Sequence, residues 1–363
     1  MRIIYINGKF LSQRTTGVQR FAFGVVEALD RSLRSQPSSC RFELLLPPCA
    51  KPITGLTAIS QRHVGRFMRS LTAWEQLVLP AYASDGTLLC LSGSAPFFVR
   101  DCIPTIHDAA VYLHPQAYSR TFVTWYRILF AHRAKKSPLV LTVSDSSARD
   151  LATHLPPTAF RVVPNSAEHI TREPSDPSVM DAFQLLPQGY LLAVGSLNPT
   201  KNFTLLLKAY TSSKFSEYFP LVIVGAINKD VFRSDGDIPH CSNVHWVGPV
   251  SDTQLRALYE QAAVFLFPSL YEGFGIPPLE AMICGCPVVA SNSSSIPEVC
   301  GDAALYFDPY DQLALTSTIQ NLLSDNVCRS KLIEYGRQRA RSYSWDISAK
   351  RLRTALTEFQ FTD

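Results

Sequence analysis

The chain has 363 residues, of which 46% are hydrophobic and 18% charged, and this composition is typical of a folded protein with two domains of ordinary size. No apolar run approaches the roughly 18 residues that span a bilayer, and the N-terminus lacks the layout of a signal peptide. Nine cysteines without a CxxC pair indicate reduced thiols and argue against a metal site. We therefore expect a cytoplasmic protein.

The net charge of +4 conceals an asymmetry between the two halves of the chain. Residues 1–165 carry 19 Lys and Arg against 9 Asp and Glu, whereas residues 166–363 carry 15 against 21. A basic half is expected to meet an anionic partner, and membrane phospholipid, a diphosphate lipid and nucleic acid all have that chemistry. Nucleic acid is the weakest of the three, because no RNA- or DNA-binding motif is visible.

Short apolar runs alternate with longer helical patterns along the first half of the chain. The predicted strands are residues 2–6, 42–47, 87–92, 104–108, 139–145 and 160–165. Between the first two strands, apolar residues recur every four positions at Phe21, Val25, Leu29 and Leu33. That spacing predicts an amphipathic helix.

The second half repeats this alternation of strands and helices. Its predicted strands are residues 190–196, 221–225, 244–248, 264–269 and 287–291. Continuous apolar strands that alternate with helices are typical of doubly wound parallel sheets. We therefore predict an α/β protein with two Rossmann-like domains, residues 1–172 and 173–343, and a polar linker at residues 171–181.

Several polar groups follow predicted strands directly. They are His107 with Asp108, Ser144, the segment 196–201 and Glu272. Ligands of open parallel sheets bind at the carboxyl ends of the strands. We therefore expect these groups at a cleft on which the two domains face each other.

The segment YEGFGIPPLEAM (271–282) places Glu272 and Glu280 at either end of a turn rich in glycine and proline. Those glycines and prolines exclude a continuous helix, so the pattern predicts a loop followed by a helix that stops at Gly285. Glu280 is then expected in the first helical turn, and Glu272 in the loop that faces the helix N-terminus. This arrangement is suited to holding a ligand.

The segment EGFGIPPLEAM, followed by GCPVVASNSSSIPEVCGDAALYFDP, resembles the signature of retaining glycosyltransferases of family 4, which have the GT-B fold. The likeness covers nearly the whole chain. The other matching segments, in the family's order, are GVQRF (17–21), TIHD (105–108), TVSDSSARDL (142–151), VVPN (162–165), GSLNPTKNF (195–203) and VHWVGPVSDTQL (244–255). SYSWDISAKRL (342–352) resembles the final helix of the fold, which implies that residues 344–363 cross back to the first domain.

The resemblance implies that the second domain holds a nucleotide sugar. Glu280 matches the family's ribose-binding acid, and Glu272 matches the acid that faces the donor sugar and stabilises positive charge at its anomeric carbon. The backbone of Gly273, Phe274 and Gly275 is expected near phosphate or sugar oxygens, since amides before a helix N-terminus attract anions. The other donor-binding positions that the resemblance implies are Gly17, Ser196, Val250 and Ile276.

Lys201 is expected to pair with the diphosphate and to offset the charge of the leaving group, so the resemblance implies no metal and no other cofactor. Many family members have arginine at the position of Ser196 or Thr200, and this chain has neither. Either Arg20 or the amides at a helix terminus compensate for the missing charge, or the activity is expected to be modest.

His107 matches the histidine of the family's active site and is expected to contact the donor sugar from the first domain. A histidine at a strand end is also common as a purely structural residue, so that alternative stays open. Asp108 and Ser144 are further candidates for contacts with the acceptor or the diphosphate. No carboxylate nucleophile is required by the front-face route that the resemblance implies.

Two remaining segments have competing interpretations. Asp235 and Asp237 form a D-x-D pattern, which binds divalent ions in another glycosyltransferase fold, but their surroundings predict a solvated turn. The segment 118–136 interleaves aromatic and basic side chains, and the segment 61–69 adds the basic charges of Arg62, Arg66 and Arg69. The first segment predicts either a packed helix with an exposed basic edge or a surface that rests on anionic membrane or a lipid-linked acceptor.

The sequence as a whole predicts a retaining, metal-independent glycosyltransferase of the kind that builds bacterial surface polysaccharide. The expected donor is GDP-mannose, and the expected acceptor is a lipid-linked saccharide at the inner face of the plasma membrane. The alternatives are a nucleotide-sugar epimerase or hydrolase on the same fold and a non-catalytic partner subunit. Release of nucleotide without an acceptor distinguishes the first alternative.

Overall fold

The computed structural model describes residues 2–225 and 243–359, and the chain divides into two compact units. The first unit comprises Met1–Asn165 and Ser344–Asp363, and the second comprises Ser166–Tyr343. Residues 166–172, which we expected in the first domain, therefore belong to the second unit. The reason is local bonding: Ser166 Oγ donates a hydrogen bond to the Tyr343 carbonyl at 3.0 Å.

The first unit contains parallel strands that form one main sheet and a smaller pair. The strands are β1 (Ile3–Asn7), β2 (Arg41–Leu46), β3 (Ser60–His63), β4 (Thr87–Cys90), β5 (Cys102–Pro104), β6 (Val140–Thr142) and β7 (Phe160–Val162). The main sheet has the order β3-β2-β1-β4-β5, and β6 pairs with β7. An isolated parallel bridge between Thr105 and Leu141 links the end of β5 to β6.

Two strands of the first unit differ from the prediction. Strand β5 covers Cys102–Pro104 and not residues 104–108, because Cys102 to Pro104 pair with Leu88 to Cys90 of β4. Strand β3 was not predicted at all. Its sequence, SQRH, lacks the apolar run of a central strand, since it lies at the sheet edge and is only half-buried.

The helices of the first unit connect these strands along the chain. They are α1 (Gly17–Ser35), α2 (Leu71–Ala73), the π-helical turn Trp74–Val78, α3 (Leu79–Tyr82), α4 (Ala110–Leu113), α5 (Arg120–Lys136) and α6 (Asp145–His154). In α1 the predicted stripe of Phe21, Val25, Leu29 and Leu33 is buried, so the predicted amphipathic helix is confirmed.

Helix α5 covers most of the aromatic and basic segment 118–136. Phe122, Trp125 and Ile128 are at least 40% exposed along one face of this helix. Arg133, by contrast, is buried and donates hydrogen bonds to the carbonyls of Phe97 and Val99. Arg133 therefore belongs to the packing of the unit and not to an exposed basic edge.

In residues 166–225 and 243–343, the second unit forms a six-stranded parallel sheet. Its strands are β8 (Leu191–Val194), β9 (Leu221–Val224), β10 (Val244–Gly248), β11 (Val264–Phe267), β12 (Val288–Ser291) and β13 (Ala304–Phe307). The order β10-β9-β8-β11-β12-β13 means that the chain builds outward from β8, then restarts beside it at β11. The switch point of the sheet, where ligands of such folds bind, thus lies between β8 and β11.

The helices of the second unit are α7 (Ser178–Ala182), α8 (Phe203–Thr211), α9 (Asp252–Gln261), α10 (Ile276–Ile283), α11 (Ile296–Cys300), α12 (Gln312–Ser324) and α13 (Asn326–Arg341). The predicted linker, residues 171–181, is part of this unit. Asp176 donates its backbone N–H to the Thr253 carbonyl, and Arg256 donates to the Glu173 carbonyl. The segment is polar because most of its residues are exposed, although these hydrogen bonds attach it to the second unit.

The final helix, α14 (Trp345–Glu358), packs on the first unit. A Cβ at Gly24 of α1 would lie 2.3 Å from the Trp345 ring, so this close approach requires glycine. Ser348 Oγ also donates to the Pro164 carbonyl at 2.6 Å. None of the helices in the described residues is long and apolar enough to span a bilayer.

Candidate active site

Lys201 and Glu272 meet at the switch point of the second unit's sheet. Lys201 follows β8, Glu272 follows β11, and these strands are neighbours. Lys201 Nζ lies 2.6 Å from Glu272 Oε1, and the two side chains are 21% and 13% exposed. The structure therefore brings together the residues predicted for the diphosphate and the donor sugar, and pairs them with each other.

A short 3-10 turn, Pro199–Lys201, places Lys201 at this point. Asn198 Oδ1 accepts hydrogen bonds from the backbone N–H and the hydroxyl of Thr200, each at 2.9 Å. The Thr200 carbonyl in turn accepts from the Leu270 N–H at 2.7 Å, which joins the two loops. Lys201 ends this turn, and α8 starts two residues later at Phe203.

Serines after β12 hold the loop that carries Glu272. Ser294 Oγ accepts from the Glu272 N–H at 2.9 Å. Ser295 Oγ lies 2.9 Å from the carbonyl oxygens of both Glu272 and Phe274, so its single O–H is shared between them. Ser295 is fully buried. The position of the Glu272 backbone is thus set by side chains from the next strand's end.

Helix α10 begins where the glycine- and proline-rich turn predicts a helix. Gly275 precedes it with φ of +108°, a conformation that favours glycine. Pro277 lies in the first turn, and the helix ends at Ile283, just before Gly285. The expectation that Glu280 lies in the first turn is wrong, because the helix starts at Ile276 and Glu280 is its fifth residue.

Glu280 is buried and both of its carboxylate oxygens have protein partners. His169 Nε2 lies 2.7 Å from Oε1, and the Tyr259 hydroxyl donates to Oε2 at 2.9 Å. Burial raises the pKa of Tyr259 well above its usual value, and the neighbouring Glu280 carboxylate raises it further. Tyr259 therefore stays a hydrogen-bond donor at neutral pH.

Sequence reasoning missed His169 and Tyr259. His169 lies in the 3-10 turn Glu168–Thr171, and Tyr259 lies in α9, so neither is near Glu280 in the chain. No local pattern distinguishes them from ordinary surface or core residues. Only the packing of these elements against α10 brings them together.

The other donor-site positions predicted in the second unit follow the carboxyl ends of its strands. Ser196 is exposed and lies two residues after β8, and Val250 is half-buried two residues after β10. Phe274 is buried, with its ring edge-on to Tyr343 at 5.4 Å between centroids. The remaining positions are Gly273 in the loop and Ile276 at the start of α10.

In the first unit, His107 lies three residues after β5. Its ring packs edge-on against Phe21 at 5.0 Å, and Nε2 lies 3.0 Å from the Leu91 carbonyl. Because a carbonyl only accepts, Nε2 must carry the proton, which leaves Nδ1 as the acceptor nitrogen of the neutral ring. Burial lowers the pKa of His107 from 6.5 to about 4, so the ring is neutral at neutral pH.

Two of the remaining first-unit candidates, Asp108 and Ser144, make local hydrogen bonds. Asp108 accepts a hydrogen bond from the Ala110 N–H at 2.8 Å. Ser144 is fully buried and caps α6 by accepting from the Ser147 N–H at 3.0 Å. Gly17 is the exposed first residue of α1, and Arg20 is half-buried one turn further on.

Asp235 and Asp237 lie outside the described residues, so their interpretation as a solvated turn stays a prediction. Within residues 2–225 and 243–359, no three His, Cys, Asp or Glu side chains are grouped so that they could hold a metal ion.

Comparison with known proteins identifies the family. Residues 183–339 match the family described as glycosyl transferases group 1. The chain is 33% identical to O-antigen chain mannosyltransferase B of Escherichia coli over 267 residues, which cover 69% of this chain and 68% of that protein. It is 29% identical to the serotype-specific mannosyltransferase WbdA of Escherichia coli over 58% of this chain, but over only 24% of WbdA. The chain belongs to the glycosyl transferases group 1 and is a glycosyltransferase.

Solved structures agree on the fold. The sucrose-phosphate synthase of Thermosynechococcus elongatus matches with a TM-score of 0.75 over 99% of both chains, at 17% identity. WaaG, a glycosyltransferase involved in lipopolysaccharide biosynthesis, matches with a TM-score of 0.68 over 98% of this chain and 99% of that chain, also at 17% identity. The predicted GT-B fold, with two Rossmann-like domains, is confirmed.

Proposed function

We propose that this chain is a retaining, metal-independent mannosyltransferase of family 4 that transfers mannose from GDP-mannose to a growing, lipid-linked polysaccharide. The observation that carries the proposal is the ion pair between Lys201 and Glu272 at the switch point of the second unit's sheet, with Glu280 buried in the helix that follows Glu272. The choice of mannose rests on the relatives, whose names describe mannosyltransferases of O-antigen chains.

The Lys201–Glu272 pair supports binding of a sugar diphosphate. A lysine beside a carboxylate is held in place until an anion arrives, and a diphosphate offers it more negative charge than Glu272 does. Exchange of partners would leave Lys201 on the diphosphate and free Glu272 Oε1 for a hydroxyl or for the developing positive charge of the sugar. Both groups are mostly shielded from water, which strengthens these interactions.

In the proposed reaction, the bond between the anomeric carbon and the diphosphate oxygen breaks, and an acceptor hydroxyl attacks the same face of the sugar. The hydroxyl proton passes to the departing phosphate oxygen, so the leaving group serves as the base. Lys201 stabilises the negative charge on the diphosphate, and Glu272 stabilises the positive charge on the sugar. No carboxylate nucleophile takes part, unlike in retaining glycosidases.

His107 would contribute from the first unit as a neutral hydrogen-bond acceptor. Because Nε2 donates its proton to the Leu91 carbonyl, Nδ1 is the acceptor nitrogen of the ring. The low pKa of His107 keeps the ring uncharged. A neutral acceptor suits a sugar hydroxyl and avoids placing a second positive charge near an oxocarbenium-like sugar.

The acceptor side is proposed from the surface of the first unit. No acidic residue occurs between Asp108 and Asp145, whereas Arg120, Lys135 and Lys136 are exposed there. We define the α5 patch as these three basic residues together with the exposed Phe98, Phe122, Trp125 and Ile128. Exposed aromatic and basic side chains on and beside one helix favour contact with anionic membrane, where a lipid-linked acceptor would be found.

A ligand panel followed by a transfer assay tests the proposal. GDP-mannose should raise the thermal midpoint more than UDP-, dTDP- or ADP-sugars, since a ligand at 100 times its dissociation constant adds about 2.7 kcal/mol. Transfer to lipid-linked acceptor should persist in EDTA and yield the α-anomer, as measured by NMR. Loss of activity in EDTA, restored by magnesium or manganese, would contradict the metal-independent mechanism.

The same assay separates the two alternative functions. An epimerase or hydrolase would turn over GDP-mannose at full rate without acceptor. A non-catalytic partner subunit would bind nucleotide without turnover. The only feature that favours this outcome is that Ser196 and Thr200 stand where many family members have arginine.

A further inference from the structure

We infer that His169 is a positioning residue, which together with Tyr259 locks the Glu280 carboxylate in the orientation that recognises a ribose diol. This inference rests on the proposed function, because it assigns Glu280 to the ribose of the donor nucleotide. His169 comes from the 3-10 turn Glu168–Thr171, Tyr259 from α9 and Glu280 from α10. Three separate elements of one unit therefore converge on one carboxylate.

The geometry leaves Glu280 the right acceptor capacity for a diol. An ionised carboxylate has about four acceptor positions, two on each oxygen. His169 uses one position on Oε1 and Tyr259 uses one on Oε2, at 2.7 Å and 2.9 Å. One position on each oxygen remains, and the 2′- and 3′-hydroxyls of a ribose present two donors side by side. Because both oxygens are held, the carboxylate cannot rotate away from that diol.

The second nitrogen of His169 shows that the residue is not explained by stability alone. Nδ1 is buried and has no hydrogen-bond partner among the described residues, although the side chain is only 10% exposed. A buried polar atom without a partner destabilises a fold, so an apolar residue would suit this position better. The polar role that remains for the ring is its contact with Glu280.

The test compares affinities for GDP and 2′-deoxy-GDP, measured by calorimetry on the full chain. Wild type should bind GDP roughly tenfold more tightly than 2′-deoxy-GDP, and Glu280→Gln should lose this discrimination. His169→Ala should reduce the discrimination to less than about twofold, whereas His169→Gln, whose amide can replace the Nε2–H donor, should keep most of it. His245→Ala serves as the matched control, since this histidine lies in β10 with its ring against Phe183, whereas the side-chain partners of Glu280 are His169 and Tyr259.

Each outcome decides a different point. Full discrimination in His169→Ala, or equal loss in the Ala and Gln variants, overturns the role of His169 while Glu280 keeps its assignment. No discrimination in wild type, or none lost in Glu280→Gln, overturns the assignment of Glu280 to ribose and with it the proposed donor site. If His169→Ala fails to fold, the Gln variant still decides, because loss of its discrimination contradicts a positioning role for the donor hydrogen bond.

Discussion

Glu272 and Glu280 are eight residues apart in the chain, yet their carboxylates have different surroundings. Glu272 pairs with a lysine in the loop after β8, and Glu280 is buried between a histidine and a tyrosine. We expect Glu280→Gln to weaken binding of free GDP by about 10- to 150-fold, the cost of losing a hydrogen bond to a charged group.

Glu272→Gln should instead lower kcat by at least about 100-fold with little change in GDP affinity, because its charge acts on the transition state.

Calorimetry with GDP and steady-state kinetics with the donor together check this division of roles. Lys201→Met is a useful third variant, since it removes the positive charge and should weaken GDP binding and turnover together. Unchanged GDP affinity in Glu280→Gln would remove Glu280 from the nucleotide. Retained turnover with lost donor binding in Glu272→Gln would reverse the two assignments.

His107 predicts a specific pH dependence of stability. Its pKa is about 4 in the folded protein and 6.5 when unfolded, so the unfolded state binds a proton more readily between these values. The free energy of unfolding should therefore be unaffected by His107 above pH 6.5 and should fall as the pH drops from 6.5 to about 4, by at most about 3 kcal/mol. His107→Gln should lose this part of the acid sensitivity.

Thermal midpoints of wild type and His107→Gln, measured from pH 7.5 to pH 4.5, check the prediction. The difference between the two proteins isolates His107, because every other residue is the same in both. His154→Gln is the control, since His154 is exposed on α6. Parallel curves for wild type and His107→Gln would show that the ring does not titrate as its burial requires.

At the scale of elements, the loop that carries Glu272 depends on side chains from another strand end. Ser295→Ala removes the O–H that the Glu272 and Phe274 carbonyls share, so both carbonyls lose this hydrogen bond. We expect a loss of about 1–2 kcal/mol in stability and a fall in kcat, because the Glu272 backbone is no longer fixed. Ser317→Ala on the exposed side of α12 is the control, since its hydroxyl bonds only within its own helix. A destabilised variant with normal kcat would show that the loop needs no such support.

The elements also show what sequence patterns can predict. Central strands such as β8 and β11 are apolar throughout because both sheet faces are covered, so their positions follow from composition. Strand β3 is polar because it lies at a sheet edge, and the pattern missed it. The loop and helix around Gly275 were predictable from glycine and proline alone. The bonds from Ser294, Ser295 and His169 were not, because they join segments that only tertiary packing brings together.

At the scale of the whole molecule, the sequence shows the charge asymmetry between the two halves, but it does not show which of the basic residues are exposed. Nineteen basic residues in the first 165 predict an anionic partner, and the structure divides them into buried and exposed groups. Arg133 donates hydrogen bonds to carbonyls within the unit, whereas the neighbouring Lys135 and Lys136 are exposed. A variant that tests membrane contact must therefore avoid Arg133, since its loss would remove the hydrogen bond to the buried Val99 carbonyl.

The last prediction concerns binding of the α5 patch to anionic membrane. The protein should sediment with vesicles that contain anionic lipid and be released as salt rises, because the attraction decays within a Debye length of roughly 10 Å at 0.1 M salt. A lysine near such a surface contributes about 1 kcal/mol, so Lys135→Gln with Lys136→Gln should weaken partitioning roughly thirtyfold at low salt.

Trp125→Ser should weaken partitioning at every salt concentration, since the contact that is lost is apolar. Lys208→Gln with Lys214→Gln, both exposed in the second unit, is the charge-matched control and should bind as wild type does. Equal binding to neutral and anionic vesicles, or equal loss in the control, would leave the basic first unit with a different anionic partner.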